Sequence, residues 1–254
     1  MCIVYRKDKE IMDDIYPPKM TIIEHLEELR RRIIISLAFF LIVTVVSFIF
    51  VDRLAHILRI PSIGIIKDLV FLTPTEAFIA YLKIAMLAGF IIAIPFIIVQ
   101  LGLFLMPAIP PDKRKSIFIW LGASFLLSIT GIMFSYFLAL PFALKFLINF
   151  AEGVAVPMIS VGKYFSFAGA FLLMGAAIFQ IPVVIGFLST IGILKTSFLR
   201  RNRKYAVVII LIISALITPT QDIFNMLIFA VPMWALYEIG ILASRIIEKK
   251  RSTQ

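Results

Sequence analysis

Long uncharged apolar runs, separated by short polar and basic connections, dominate the chain. The first, Ile33 to Val51, holds 19 residues without a charge. At a rise of ~1.5 Å per residue it reaches roughly 28 Å, enough for a hydrocarbon core of about 30 Å. The second covers Phe78 to Met106 and carries only Lys83, near one end. The third extends from Ser116 to about Leu140 and continues past Pro141 towards Phe150. The fourth goes from Phe165 to about Leu188, with Gln180-Ile181-Pro182 inside, and the sixth from Ile223 to about Ile247, with Pro232 and Glu238 inside. Between them the fifth, Tyr205 to Thr218, has 14 residues. At about 21 Å it has to thin the bilayer or rest against protein. Ile94-Pro95, Ile181-Pro182 and Val231-Pro232 place a kinking proline in the second, fourth and sixth runs. The pattern predicts an all-α polytopic membrane protein: six transmembrane helices, several kinked at proline, short fifth and sixth spans, and a concave wall rather than a compact bundle. Residues 21–248 form its single domain, 1–20 a disordered cytoplasmic tail (or Met20 is the true start), and 249–254 a basic cytoplasmic end.

Charge gives the runs a direction. Seven Lys and Arg precede the first span, from Arg6 to Arg32; Lys113, Arg114 and Lys115 follow the second. Lys195, Arg200, Arg201, Arg203 and Lys204 follow the fourth, and Arg245, Lys249, Lys250 and Arg251 close the chain. The intervening connections hold fewer: Arg53, Arg59 and Lys67, then Lys145 and Lys163, then none. This alternation predicts both termini on the cytoplasmic side of the inner cell membrane. The net charge of +10 is therefore topological and implies no nucleic acid. With 61% hydrophobic residues, 24 Phe and a mean hydropathy of +1.04, the chain lies well outside the soluble range.

Just before the first span stands "TIIEHLEELRRRIII". Thr21 and Glu24 have the spacing of a capping box. Ile22, Leu26, Leu29 and Ile33 fall on one helical stripe, with Glu24 and Glu28 opposite, so an interfacial amphipathic helix leads into the span. Glu28 pairs with Arg32, and Glu27 with Arg31, at i,i+4. Three carboxylates exceed what anchoring requires, and a spare one is suited to a basic segment of another chain.

Ten segments in order carry a resemblance. They are "HLEELRRR" from His25, "LRIP" from Leu58, "TPTEAF" from Thr73, "IPFIIVQ" from Ile94, "FLMPAI" from Phe104, "SYFLALPFALKFL" from Ser135, "KYFSF" from Lys163, "FQIPVVI" from Phe179, "LITPTQD" from Leu216 and "YEIG" from Tyr237. The chain resembles the TatC family, the multispanning receptor of the twin-arginine protein translocase, over Thr21 to Ile247. The resemblance implies a core subunit that binds signal peptides bearing paired arginines. It also implies single-span TatA/TatB-type partners, homo- and hetero-oligomers, and export of folded proteins driven by the proton gradient. Neither a cofactor nor a metal is implied.

Arginine suits such recognition, because its planar guanidinium stays charged and bonds carboxylates in bidentate fashion. The resemblance points first to Glu28, then to Glu27, with Arg30 as a positional or partner contact and Phe104 and Pro107 shaping the recognition site. The family's first cytoplasmic loop supplies a second glutamate; here Lys113 aligns with it, and Asp112 is the nearby acid. Asp112 is either that second carboxylate or the N-cap of the third span. Gln180 stands where the family often carries glutamate, so no proton relay depends on it. It is a partner contact or satisfies backbone freed by Pro182. Asp222 matches an acid at the start of the sixth span and equally suits a helix cap. Pro61 matches an outer-loop proline or marks a simple turn. Glu76 after Thr73-Pro74 suits a cap, and Lys83 reaches for the interface.

Glu238, well inside the sixth run, is functional by default for an intramembrane acid, or is paired near the interface. Broken helices with such an acid also suit a secondary transporter of a small solute, the alternative reading. Enzyme chemistry is not expected. There is no P-loop and no H-E-x-x-H, the one cysteine is Cys2, and His25 and His56 sit at or beyond the span ends.

Overall fold

The computed structural model describes residues 22–66, 68–106, 114–150, 158–217 and 223–251. Thr21, Lys67, Pro107, Asp112, Asp222 and the predicted tail lie outside them. In lipid every backbone N–H and C=O needs an internal partner, and the apolar runs answer with helix. The long helix α1, Ile22–Ile49, joins the amphipathic segment to the first span without a break. A short helix α2, Val51–Arg59, and a 3₁₀ turn, Ile60–Ser62, follow. Helix α3, Pro74–Leu105, starts with proline in its first turn and keeps Pro95 inside one continuous element.

The third run is also one path. Helix α4, Arg114–Phe134, passes through a π turn, Ser135–Ala139, into α5, Leu140–Phe150. Leu140 N–H reaches back to Ser135 O there. Pro141 would press its ring on the carbonyl four residues earlier, and the wider turn removes that collision. Helix α6, Val161–Ile178, stops at Phe179-Gln180, and α7, Ile181–Ile191, restarts with Pro182 in its first turn. Gly192, at φ +94°, ends α7 in a left-handed cap.

Helix α8, Thr196–Arg201, leads to α9, Arg203–Ile217, and α10, Ile223–Arg251. The fifth run thus forms a helix of 15 residues, short as expected. The sixth does not: α10 is 29 residues long, because Pro232 leaves the helix continuous and the basic end extends it to Arg251. Among the described residues five helical stretches are long and apolar enough to cross a membrane, and α9 is below that length. Large apolar side chains such as Ile42, Val45, Leu126 and Val208 face outward, as a lipid-bathed surface requires.

Helix α1 packs along α3, α3 and α4 both pack on α6, and α7 and α9 pack on α10. Tyr164, Phe171, Phe229, Ile84 and Leu140 fill the centre. Where α4 meets α6, Gly131 and Gly175 let two backbones touch. A Cβ on Gly175 would overlap Ser135 Oγ and the Gly131 carbonyl.

The two ends are tied differently. At the end remote from residue 22, Leu69–Val70 pairs in parallel with Ile159–Ser160. There Glu76 accepts from Leu72 N–H and Gly162 N–H, both at 2.9 Å. Tyr136 and Tyr164 donate to the carbonyls of Ile57 (2.7 Å) and Leu58 (2.6 Å), clamping α2 and buried Pro61. At the opposite, basic end, Ser189 donates to Ser244 (2.8 Å), Thr196 shares a hydrogen bond with Ser244 (2.7 Å), and Glu248 accepts from Thr196 N–H (2.8 Å).

Candidate functional site

The first turns of α1 lie beside the last turns of α3 at the basic end. His25 stacks on Phe104, ring centroids 4.4 Å apart and planes 14° from parallel. Two turns further along α1, Arg32 Nε and Nη2 donate to Glu28 Oε1 at 2.8 and 2.6 Å. Its Nη1 donates to Gln100 Oε1 at 2.9 Å, across to α3. Beneath this polar rim opens a groove of about 380 Å³, lined by Leu29, Ile33, Phe40, Phe90 and Leu101, with Arg32, Gln100 and Phe104 at the rim. An apolar segment preceded by a cation would meet compatible chemistry in both halves.

Of the sequence-predicted residues, Glu28 and Phe104 meet here. Glu27, Arg30 and Arg31 are exposed on α1 and make no hydrogen bond or ion pair among the described residues, so the expected Glu27–Arg31 pair does not form. Side-chain entropy favours leaving such exposed long side chains free. Pro107 and Asp112, expected to complete the site, and Asp222 lie outside the described residues.

The remaining predicted residues are elsewhere and have internal partners. Gln180 Nε2 donates to Ser128 Oγ (2.8 Å), Ser124 O (3.1 Å) and Ala176 O (3.4 Å), while its Oε1 accepts from Ser124 Oγ. Its amide bridges the α6–α7 break to α4. Glu238 Oε2 receives Arg203 Nη2 at 2.7 Å, with both side chains partly exposed. Arg203 opens α9, so the carboxylate lies level with the start of a neighbouring helix. Pro61 is buried in the clamped 3₁₀ turn.

Sequence reasoning left Gln100 and His25 without a role. The sequence carries one signal for Gln100: it is the only side chain able to hydrogen-bond between Ile84 and Met106. For His25 it carries none, because a stacking partner 79 positions away leaves no local trace. Among the described residues no group of three His, Cys, Asp or Glu is placed to hold a metal ion.

Comparison with known proteins agrees with this architecture. The family model "Sec-independent protein translocase protein (TatC)" matches residues 24–232. A Sec-independent protein translocase protein TatC from Carboxydothermus hydrogenoformans is 38% identical over 91% of this chain and 95% of that relative. The TatC of Aquifex aeolicus is 36% identical, over 91% of this chain and 98% of its own length. A crystal structure of the twin-arginine translocase receptor TatC superposes with a TM-score of 0.78 at 36% identity, covering 89% of this chain and all of that one. A multi-pass helical membrane protein matched along most of its length in sequence and in fold, this chain belongs to the TatC family of Sec-independent protein translocases.

Proposed function

We propose that this protein is the signal-peptide receptor and core subunit of a twin-arginine translocase, exporting folded proteins across the cytoplasmic membrane at the expense of the proton gradient. Glu28 receives an arginine of the peptide, Glu27 and Asp112 add negative charge, and Phe104 and Pro107 shape the recognition site. The apolar part of the peptide then lies in the groove between α1 and α3. One observation carries this reading: Glu28 already accepts a guanidinium at the mouth of that groove. A carboxylate so placed binds Arg through charge-assisted bonds, each worth about 1.5–3 kcal/mol. Lysine, a single point of charge, cannot reproduce the fork.

The protein is read as crossing the membrane six times, α9 included, with both termini cytoplasmic. Single-span subunits of the TatA/TatB type and further copies of the chain complete the translocase. The small-solute transporter is disfavoured, because Gln180 and Glu238, the polar groups that suggested it, are engaged by internal partners.

Photocrosslinking and binding test the proposal. A probe at Leu101, in the lining of the groove, should capture a paired-arginine signal peptide, and a paired-lysine peptide should bind far less. Glu28→Gln should weaken paired-arginine binding about tenfold or more, the loss expected for one charge-assisted bond. Equal affinity for both peptides, or unchanged affinity in the variant, would refute the assignment.

A further inference from the structure

The carboxylate read as the arginine receptor already holds an arginine of its own chain. Arg32 aims two donors at one oxygen, Glu28 Oε1, and a third at Gln100, 68 residues away on α3. Arg30 and Arg31, exposed on the same helix, have no partner among the described residues. The guanidinium of Arg32 is therefore pinned, and it is pinned over the groove that it helps to line. Glu28 Oε2 takes no hydrogen bond among the described residues.

We propose that Arg32 is an internal occupant of the arginine site, held there by Gln100, and that it sets peptide affinity by competing for Glu28. This rests on the reading of Glu28 as the receiving carboxylate. An incoming arginine can engage both carboxylate oxygens only after Arg32 releases Oε1; until then Oε2 offers a single bond. The exchange replaces one guanidinium by another, so Glu28 never stands unpaired at the edge of the bilayer. Measured affinity is then the difference between two arginine pairings. Every cationic peptide that must displace Arg32 meets the same opposition. Removing Arg32 should therefore tighten paired-arginine and paired-lysine peptides by the same factor and leave their ratio unchanged. Discrimination stays with the geometry at Glu28, and Arg32 governs how tightly any cargo is held.

Equilibrium binding of fluorescent paired-arginine and paired-lysine peptides to the full chain in nanodiscs tests this. Arg32→Gln should tighten both about three- to fivefold, the scale of a partly exposed ion pair. Gln100→Leu keeps every charge and only loosens the grip on Arg32. It should tighten binding by a smaller factor, and add nothing in the double variant. Arg31→Gln, with the same change of charge at an unpinned arginine, should alter affinity far less. Weakened or unchanged binding in Arg32→Gln, or equal tightening in Arg31→Gln, overturns the proposal. If Arg32→Gln fails to accumulate, Gln100→Leu decides alone: unchanged or weaker binding rejects the competition. These outcomes are separate from failure of the receptor reading, which shows instead as Glu28→Gln binding like the parent.

Discussion

At Gln180 one side-chain amide uses both its oxygen and its nitrogen, joining the end of α6 to Ser124 and Ser128 on α4. Between α6 and α7 the regular ladder of backbone bonds is interrupted, and Pro182 supplies no donor. A polar side chain here would be costly in lipid unless satisfied, and the two serines one turn apart satisfy it. Replacing it should therefore damage the fold more than the binding site. Gln180→Ala is expected to lower stability by about 1–3 kcal/mol, because Ser124 Oγ loses its acceptor inside the bundle. Thermal unfolding in detergent should show the lower midpoint, while affinity for a paired-arginine peptide at the basic end stays as in the parent. A loss of peptide binding at unchanged stability would instead mark Gln180 as a contact for cargo. The sequence made Gln180 conspicuous and gave two uses for it, since the i,i+4 spacing of Ser124 and Ser128 does not reveal which helix faces it. Gln100 illustrates the converse: a polar residue alone in an apolar run is visible, but the Arg32 that satisfies it is 68 positions away.

Among the helices, hydropathy located the apolar runs well and their interruptions poorly. Pro95 and Pro232 remain inside continuous helices, Pro182 begins a new one, and Pro141 follows a π turn. The difference lies in what surrounds each ring, and the dipeptides Ile94-Pro95, Ile181-Pro182 and Val231-Pro232 carry no record of it. Glycine packing was equally silent. Gly131 and Gly175 lie 44 positions apart, yet their backbones meet where α4 crosses α6, directly before the π turn. Membrane helices gain little from apolar burial against lipid, so close backbone approach does much of the work of association. Gly175→Ala should force that crossing apart and destabilise the protein by about 1–3 kcal/mol, the usual range for overpacking. A lower unfolding midpoint in detergent, with Gly122→Ala as a control that meets open space, is the expected result. If the two variants unfolded alike, the crossing would not depend on small residues.

For the whole molecule, the pairing of α9 with α10 decides how often the chain crosses the bilayer. Arg203 at the start of α9 bonds Glu238, and Ser214 near its end bonds the Met226 carbonyl. The two helices are thus antiparallel, and α9 runs alongside α10 from the level of Glu238 to that of Met226. From Ile239 to Arg251 α10 continues beyond the start of α9, roughly 20 Å at 1.5 Å per residue. This explains why an acid deep in the sixth hydrophobic run is tolerated: its depth is set by the beginning of the shorter neighbour, where Arg203 and Lys204 also lie. Under the proposed six-span topology, α9 is a crossing that leans on protein rather than on its own length. Accessibility of single cysteines tests the consequence, after the native Cys2 is replaced by Ser. Ile63→Cys and Met158→Cys, both exposed at the end remote from residue 22, should react with a membrane-impermeant maleimide in intact cells. Ile193→Cys and Phe198→Cys, exposed before α9, should react only after lysis. Ile223→Cys is decisive, because it follows α9 and is well exposed. Labelling like Met158→Cys means that α9 crosses and the chain spans six times with both termini inside. Labelling like Phe198→Cys means that α9 folds back, and the orientation inferred from the basic connections then fails at its last step.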